Sequence, residues 1–212
     1  MSTIIIFAGG TKIPRAAVDD LPAPDLVIAA DSGYQIALSL GYDVDTLIGD
    51  MDSVGPLDDI PATTSIVRFP ADKDATDLEL AFELAVREQP QRIVLVGAEG
   101  GRFDHELSAV AMVCSDQWRH VPDIDWVRSD SISHVIRDTR RIQGDPGDLF
   151  SLIPVGGDAT GVTTTGLQWE LKGDTLHAGS SRGVSNILLR TEILIQVADG
   201  VLLGVFPSTP GG

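Results

Sequence analysis

Cysteine is almost missing. Cys114 is the only one, so no disulfide can staple the chain to itself. It sits in the apolar run Ala-Val-Ala-Met-Val-Cys and reads as an inert core thiol rather than a nucleophile. A chain without disulfides suits a reducing cytoplasm. Basic residues are scarce as well: 15 Lys and Arg stand against 31 Asp and Glu, for a net charge of −16. Sequence-independent nucleic-acid binding needs a basic surface, and an anionic membrane would repel this chain, so neither partner is expected. No apolar run nears the roughly 18 residues of a membrane-spanning helix. The N-terminal Met-Ser-Thr-Ile-Ile-Ile-Phe-Ala has no basic segment and is expected to be a first strand, not a signal peptide. Two phosphate-binding fingerprints, G-x-x-x-x-G-K-[ST] and G-x-G-x-x-G, are also missing. That argues against a Walker-type ATPase and a dinucleotide dehydrogenase.

The first half of the chain alternates strand and helix signals. Apolar strand runs are expected at Thr3–Ala8, Leu26–Ala30, Thr46–Gly49, Ser65–Phe69 and Arg92–Gly97. Helices are expected at Gly33–Leu40, where Gly41 stops the turn, at Asp77–Gln89 and at Asp104–Trp118. The second of these carries Leu78, Ala81, Phe82, Ala85 and Val86 on one face, and Thr76 with Glu79 forms a capping-box pattern at its start. After about residue 120 the helical period disappears. Short β-like runs follow (Ile124–Arg128, Ser131–Arg137, Asp148–Pro154, Thr160–Thr165, Thr175–Ala178, Glu192–Val197 and Val201–Phe206), several of them separated by Gly-Asp and Gly-Gly turns. The expected fold is an α/β N-terminal domain over residues 1–125, with a mostly parallel sheet and flanking helices. A small all-β, sandwich-like domain is expected over residues 126–212.

Aspartate supplies 24 of the 31 acidic residues. Most of these need only keep the protein soluble. Six stand at or just past the ends of apolar runs: Asp31, Asp50, Asp52, Asp74, Asp77 and Asp104. Carboxylates at strand ends point into the crevice where open α/β sheets hold ligands, and several together repel unless a cation lies between them. Mg²⁺ shared with substrate phosphates fits that description. Asp50 and Asp52 share a face if the backbone is extended, although a polar turn would use the same residues. Lys73-Asp74-Ala75-Thr76-Asp77 opens a helix, whose start favours phosphate. Capping alone accounts for Thr76 or Asp74 but not for Lys73. Gly100-Gly101-Arg102-Phe103-Asp104-His105 joins a strand to a helix. Its glycines admit a ligand closely, Arg102 can grip a phosphate with two bonds, Asp104 can bind metal or cap the helix, and His105 can donate to an oxyanion. His120, His134 and His177 are isolated and read as surface or sheet residues, and Trp118 and Trp126 as core.

Taken in order, these motifs resemble the thiamine pyrophosphokinase family over nearly the whole chain. Ala30-Asp31-Ser32-Gly33 is similar to its A-D-G-G, Gly49–Ser53 to its G-D-F-D-S, and Lys73–Asp77 and Gly100–His105 match almost letter for letter. In the second half Ser151–Pro154, Thr163–Leu171 and Ser180–Asn186 resemble its thiamine-binding β-domain. The resemblance implies transfer of pyrophosphate from ATP to thiamine with Mg²⁺, in a homodimer whose active sites are shared between subunits. It implies Asp50, Asp52 and Asp77 as metal ligands, with Asp31 and Asp74 nearby, and Lys73, Thr76, Arg102 and His105 at ATP and its phosphates. Asp74 or Asp104 would accept the hydroxyl proton. Trp169 would stack on the thiamine cation, and Ser185 and Asn186 would bond its polar edge. Spacing alone would place Trp169 in the β-domain core. Where many bacterial members have Glu after the Ser-Asn pair, this chain has Ile187. Two other activities compete with this reading: a 6-hydroxymethyl-dihydropterin diphosphokinase, and a module that binds Mg-nucleotide or thiamine diphosphate without catalysis.

Overall fold

The computed structural model describes residues 2–51, 59–70, 72 and 74–207. Asp52 and Lys73 lie outside the described residues. The chain divides into two compact units, Met1–Met112 with His120–Ser129 and Val113–Arg119 with Asp130–Gly212.

The first unit is built on six parallel strands: β1 (Thr3–Ala8), β2 (Leu26–Ala30), β3 (Thr46–Gly49), β4 (Ser65–Arg68), β5 (Arg92–Gly97) and β6 (Asp123–Val127). Their order is β6-β5-β1-β2-β3-β4, and every neighbouring pair is parallel. All six residues of β1 are buried, as expected of a strand in the middle of a parallel sheet, whose side chains alternate between two covered faces. The register sets Ala8 beside both Ala30 and Gly97, and Ala30 beside Ile48. Four strands therefore end level, and Gly9, Asp31, Asp50 and Ala98 leave the sheet at one edge.

Among the described residues three α-helices accompany this sheet: α1 (Gly33–Ser39), α2 (Asp77–Arg87) and α3 (Phe103–Val113). α2 buries Ala81, Phe82 and Ala85, and Thr76 caps it by accepting a hydrogen bond from the Glu79 N–H at 3.2 Å. α3 stops five residues short of the expected end at Trp118. Ser115 starts a separate 3-10 turn, Asp116–Trp118, by accepting from the Gln117 N–H, and a serine that bonds the backbone locally competes with helix continuation. Nor does Asp104 cap α3, because the helix already begins at Phe103. Among the described residues no helix is long and apolar enough to cross a membrane.

Among the described residues the second unit holds eight strands: β7 (Ile132–Ile136), β8 (Thr139–Gln143), β9 (Leu149–Pro154), β10 (Ala159–Thr165), β11 (Lys172–Leu176), β12 (Asn186–Ile187), β13 (Glu192–Gln196) and β14 (Leu202–Phe206). They form two antiparallel groups, β12-β9-β14-β7 and β11-β10-β13-β8. Both contribute to one core: Ile136, Phe150, Leu202 and Phe206 from the first pack with Ile142, Val162, Leu176, Ile193 and Ile195 from the second. The Phe150 and Phe206 rings are tilted with centroids 4.8 Å apart, a favoured aromatic geometry. Strands outnumber helices throughout, so the two-unit plan agrees with the expectation while the helical cover of the first sheet is thinner than alternating motifs suggest.

Candidate active site

A cleft of about 500 Å³ opens at the level strand ends of the first unit. Ala8 ends β1 and Gly9 and Gly10 follow it, Asp31 and Ser32 follow β2, and Ala98 and Glu99 follow β5. The opposite wall is the start of α2, Ala75–Leu78, together with Gly101, Arg102 and one face of α3 from His105 to Met112. A helix start offers free N–H groups and the positive end of its dipole. Here that start and the Arg102 guanidinium border the same space as the Asp31 and Asp77 carboxylates.

The local backbone is unusual along this edge. Asp31, Met51 and Ala98 have positive φ (45°, 70° and 58°) although none is glycine, a conformation costing on the order of 1–3 kcal/mol each. Gly49 has φ 147°, and a Cβ there would lie 1.7 Å from Asp31 Oδ1. Glycine at 49 thus leaves room for the half-buried Asp31 carboxylate. Gly100 plays the matching part on the other side: at φ 73°, its missing Cβ would fall 1.6 Å from Thr11 Oγ1. The two loops are joined directly by the Thr11 N–H donating to Glu99 O at 2.8 Å.

Asp31, Thr76, Asp77, Arg102 and His105 line the cleft. Asp50, Asp74 and Asp104 are not among its lining residues, although Asp50 directly follows Gly49 at the same sheet edge. Arg102 grips Asp104 through two bonds, Nη2–Oδ2 at 2.5 Å and Nε–Oδ1 at 3.1 Å. The side-chain hydrogen bond from Arg102 holds the Asp104 carboxyl down at about 2, and the same bond raises the Arg102 pKa. Among the described residues no three Asp, Glu, His or Cys side chains gather closely enough to cage a metal ion by themselves.

Sequence reading missed Glu99, Arg128 and Glu106. The Glu99 side chain is only 5% exposed and pairs with Arg128 at 3.1 Å, while Arg128 also reaches Glu106 at 2.5 Å. These three belong to separate elements, and no periodicity in the chain announces such a pairing. In the expected core, Trp118 and Trp126 are buried, and Cys114 is buried too, its thiol pushed by desolvation up to about 12.

In the second unit, Trp169 is 56% exposed, and Leu189 and Val184 are exposed as well. Asn186 is buried and grips the Trp169 backbone from both sides. Its Nδ2 donates to Trp169 O at 2.8 Å, and its Oδ1 accepts from the N–H groups of Trp169 (3.1 Å) and Ile187 (2.9 Å). Two accepted bonds fill the lone pairs of that oxygen, so Asn186 places Trp169 rather than offering its carbonyl to a ligand. Ser185 is exposed at φ 59°, and its N–H donates to Ser151 Oγ at 3.0 Å.

Level strand ends, a helix start and an arginine around one cleft form the arrangement in which open α/β sheets receive phosphate-bearing ligands. The family model described as "Thiamin pyrophosphokinase, catalytic domain" matches residues 21–121, and "Thiamin pyrophosphokinase, vitamin B1 binding domain" matches residues 133–202. Thiamine pyrophosphokinase of Bacillus subtilis (strain 168) is 28% identical over 211 residues, covering 96% of this chain and 97% of that protein. Thiamine pyrophosphokinase 1 of Oryza sativa subsp. japonica is 31% identical over 181 residues, covering 78% of this chain and 66% of its own length. The crystal structure of thiamine pyrophosphokinase from Bacillus subtilis superposes with a TM-score of 0.85 at 25% identity, covering 98% of this chain and 99% of that one. This chain belongs to the thiamine pyrophosphokinase family.

Proposed function

We infer that this chain is a thiamine diphosphokinase, which transfers the pyrophosphoryl group of ATP to thiamine and releases AMP. The observation that carries the reading is the match of both family halves, in order, along one chain. In the reaction the thiamine hydroxyl oxygen bonds to the β-phosphorus of ATP. The bond from that phosphorus to the α,β-bridging oxygen breaks, AMP leaves with the oxygen, and the hydroxyl proton passes to a base. Such a transfer depends mainly on positioning and on balancing phosphate charge.

The residues fall into roles on that reading. The start of α2 with Thr76, the Arg102 guanidinium and His105 hold the polyphosphate, and Lys73 joins them from outside the described residues. The carboxylates are hard oxygen donors of the kind Mg²⁺ prefers. Mg²⁺ commonly takes only one or two of them and completes its shell with water and phosphate oxygens, so a preformed three-carboxylate cage is not needed. Asp77 and Asp50 would hold the ion together with Asp52, with Asp31 beside them. Bound there, the ion would offset phosphate charge. Asp74 or Asp104 would accept the hydroxyl proton; in this structure Arg102 grips the Asp104 carboxylate and holds it below its ordinary value. Trp169, fixed by Asn186, offers an exposed indole face to the thiamine cation. A homodimer and a cytoplasmic setting belong to the same reading.

The test is a substrate panel with Mg-ATP and either thiamine or 6-hydroxymethyl-dihydropterin. Thiamine should be converted and AMP released, whereas transfer to the pterin alone would overturn the assignment. In the same assay Asp52→Ala should lose most turnover and stay folded; retained turnover would remove Asp52 from the site.

A further inference from the structure

Glu99 is a carboxylate with almost no solvent contact, which is rarely tolerated without partners. It has them on every side. Its carboxylate accepts from Arg128 Nε at 3.1 Å and from the Ser129 N–H. Its backbone carbonyl accepts from Thr11 at 2.8 Å. Glu99 thereby joins the loops after β1 and β5 to the end of β6. Arg128 extends the link to α3 through Glu106 at 2.5 Å, and its guanidinium lies 5.1 Å from the centre of the Trp126 ring. The Trp126 indole in turn donates to Gly97 O at 2.7 Å, at the root of the same loop. Both glutamates line the cleft; Arg128 is not among its lining residues. Between Gly97 and Arg102 runs the segment with the positive-φ Ala98, a conformation that persists only where the surroundings hold it.

We propose that Arg128 is a positioning residue for the polyphosphate of ATP, clamping Glu99 to Glu106 so that the Ala98–Arg102 loop and the first turns of α3 keep one geometry around the cleft. This rests on the reading of the cleft as the ATP site. Arg128 also sets the charge there. Two carboxylates and one guanidinium sum to −1. Without Arg128 the sum is −2 beside a polyanion, and water is too scarce around Glu99 to screen it.

The test compares wild type with Arg128→Met, which keeps an apolar stem, Arg128→Lys, Glu106→Gln and the double variant Arg128→Met/Glu106→Gln. Calorimetric titration with Mg-ATP is run beside steady-state KM for each substrate and thermal melting. Arg128→Met should bind ATP roughly tenfold or more weakly, as misplacement of a binding loop does, with the thiamine KM within about twofold of wild type. Arg128→Lys should recover part of the loss. The double variant should bind ATP more tightly than Arg128→Met, because one uncompensated charge is gone; a purely structural role would make it worse. If Arg128→Met does not fold, Arg128→Lys decides: weaker ATP binding with the thiamine KM within about twofold of wild type supports the proposal, and unchanged ATP affinity overturns it. Unchanged ATP affinity in folded Arg128→Met, or equal losses for both substrates, also overturns it. A wild type that forms no AMP would instead count against the ATP-site reading itself.

Discussion

In the first unit the polar groups of the cleft stand on loops leaving level strand ends. Three non-glycine residues there hold positive φ, and neighbouring glycines make room for carboxylate and hydroxyl groups. In the second unit one exposed tryptophan lies on the turn between β10 and β11, its backbone held by the amide of one buried asparagine in β12. The first arrangement spreads its support over many contacts from elements far apart in sequence. The second is a smaller, local set: Asn186 makes two bonds to the Trp169 backbone, beside Gln168 N–H to Ile187 O at 2.8 Å and Leu171 N–H to Thr164 Oγ1 at 2.9 Å. A cleft supported by many contacts should lose activity before it loses its fold when one functional group is removed. A turn in which one buried amide holds both backbone groups of Trp169 should lose placement and stability together when that amide is removed.

The largest effect should come from the cleft. Asp77→Ala is expected to lower AMP formation about a hundredfold or more, with a melting temperature close to wild type, because Asp77 is only half-buried at a helix start. A large fall in melting temperature with activity per folded molecule intact would break the comparison. Next is Trp169→Ala. Loss of an exposed cation–π partner is worth about 0.5–2 kcal/mol, so the thiamine KM should rise by up to about thirtyfold, with the ATP KM and stability unchanged. Asn186→Ala should move both quantities. Leaving the Trp169 backbone groups unpaired costs about 1–3 kcal/mol, seen as a melting temperature several degrees lower, together with a higher thiamine KM.

Gly49→Ala sharpens the comparison from the other side. A Cβ 1.7 Å from Asp31 Oδ1 forces the carboxylate aside, so turnover should fall while the melting temperature drops by an amount matching about 1–3 kcal/mol. The smallest effect concerns acid. Asp104 titrates at about 2 in the fold against an ordinary 3.8. A lowered folded value stabilises above the unfolded value and is lost as pH falls toward the folded one. The contribution of the Arg102 pair should therefore be complete above about pH 4 and disappear toward pH 2. Asp104→Asn should flatten acid unfolding slightly in that window and leave stability at pH 7 nearly unchanged; a clear loss at pH 7 would contradict an exposed pair.

The same contrast governs what the chain reveals before it is folded. β1, β2, β3 and β5 are legible to the residue because each is a short apolar run closed by glycine, alanine or aspartate. β8 was not, since Thr-Arg-Arg-Ile-Gln buries only Ile142 and owes its strand to pairing with β13. β11 begins at Lys172, earlier than expected, because Lys-Gly-Asp reads as a turn yet lies in the strand, with Gly173 at φ 73° beside a register shift. β12 is two residues long and is hidden inside Ser-Asn-Ile. Of the proposed site residues, Asp31, Thr76, Asp77, Arg102 and His105 line the cleft, and strand ends and helix starts mark their positions in the sequence. The Glu99–Arg128–Glu106 link was not legible, because a pairing across elements leaves no local pattern. Nor was the role of Asn186 as the holder of Trp169.

Product stoichiometry tests the central claim most directly. Purified protein, Mg-ATP and thiamine should yield AMP and thiamine diphosphate in equal amounts, followed by phosphorus NMR. ADP with thiamine monophosphate, or ATP bound with no phosphorylated thiamine at all, would contradict it.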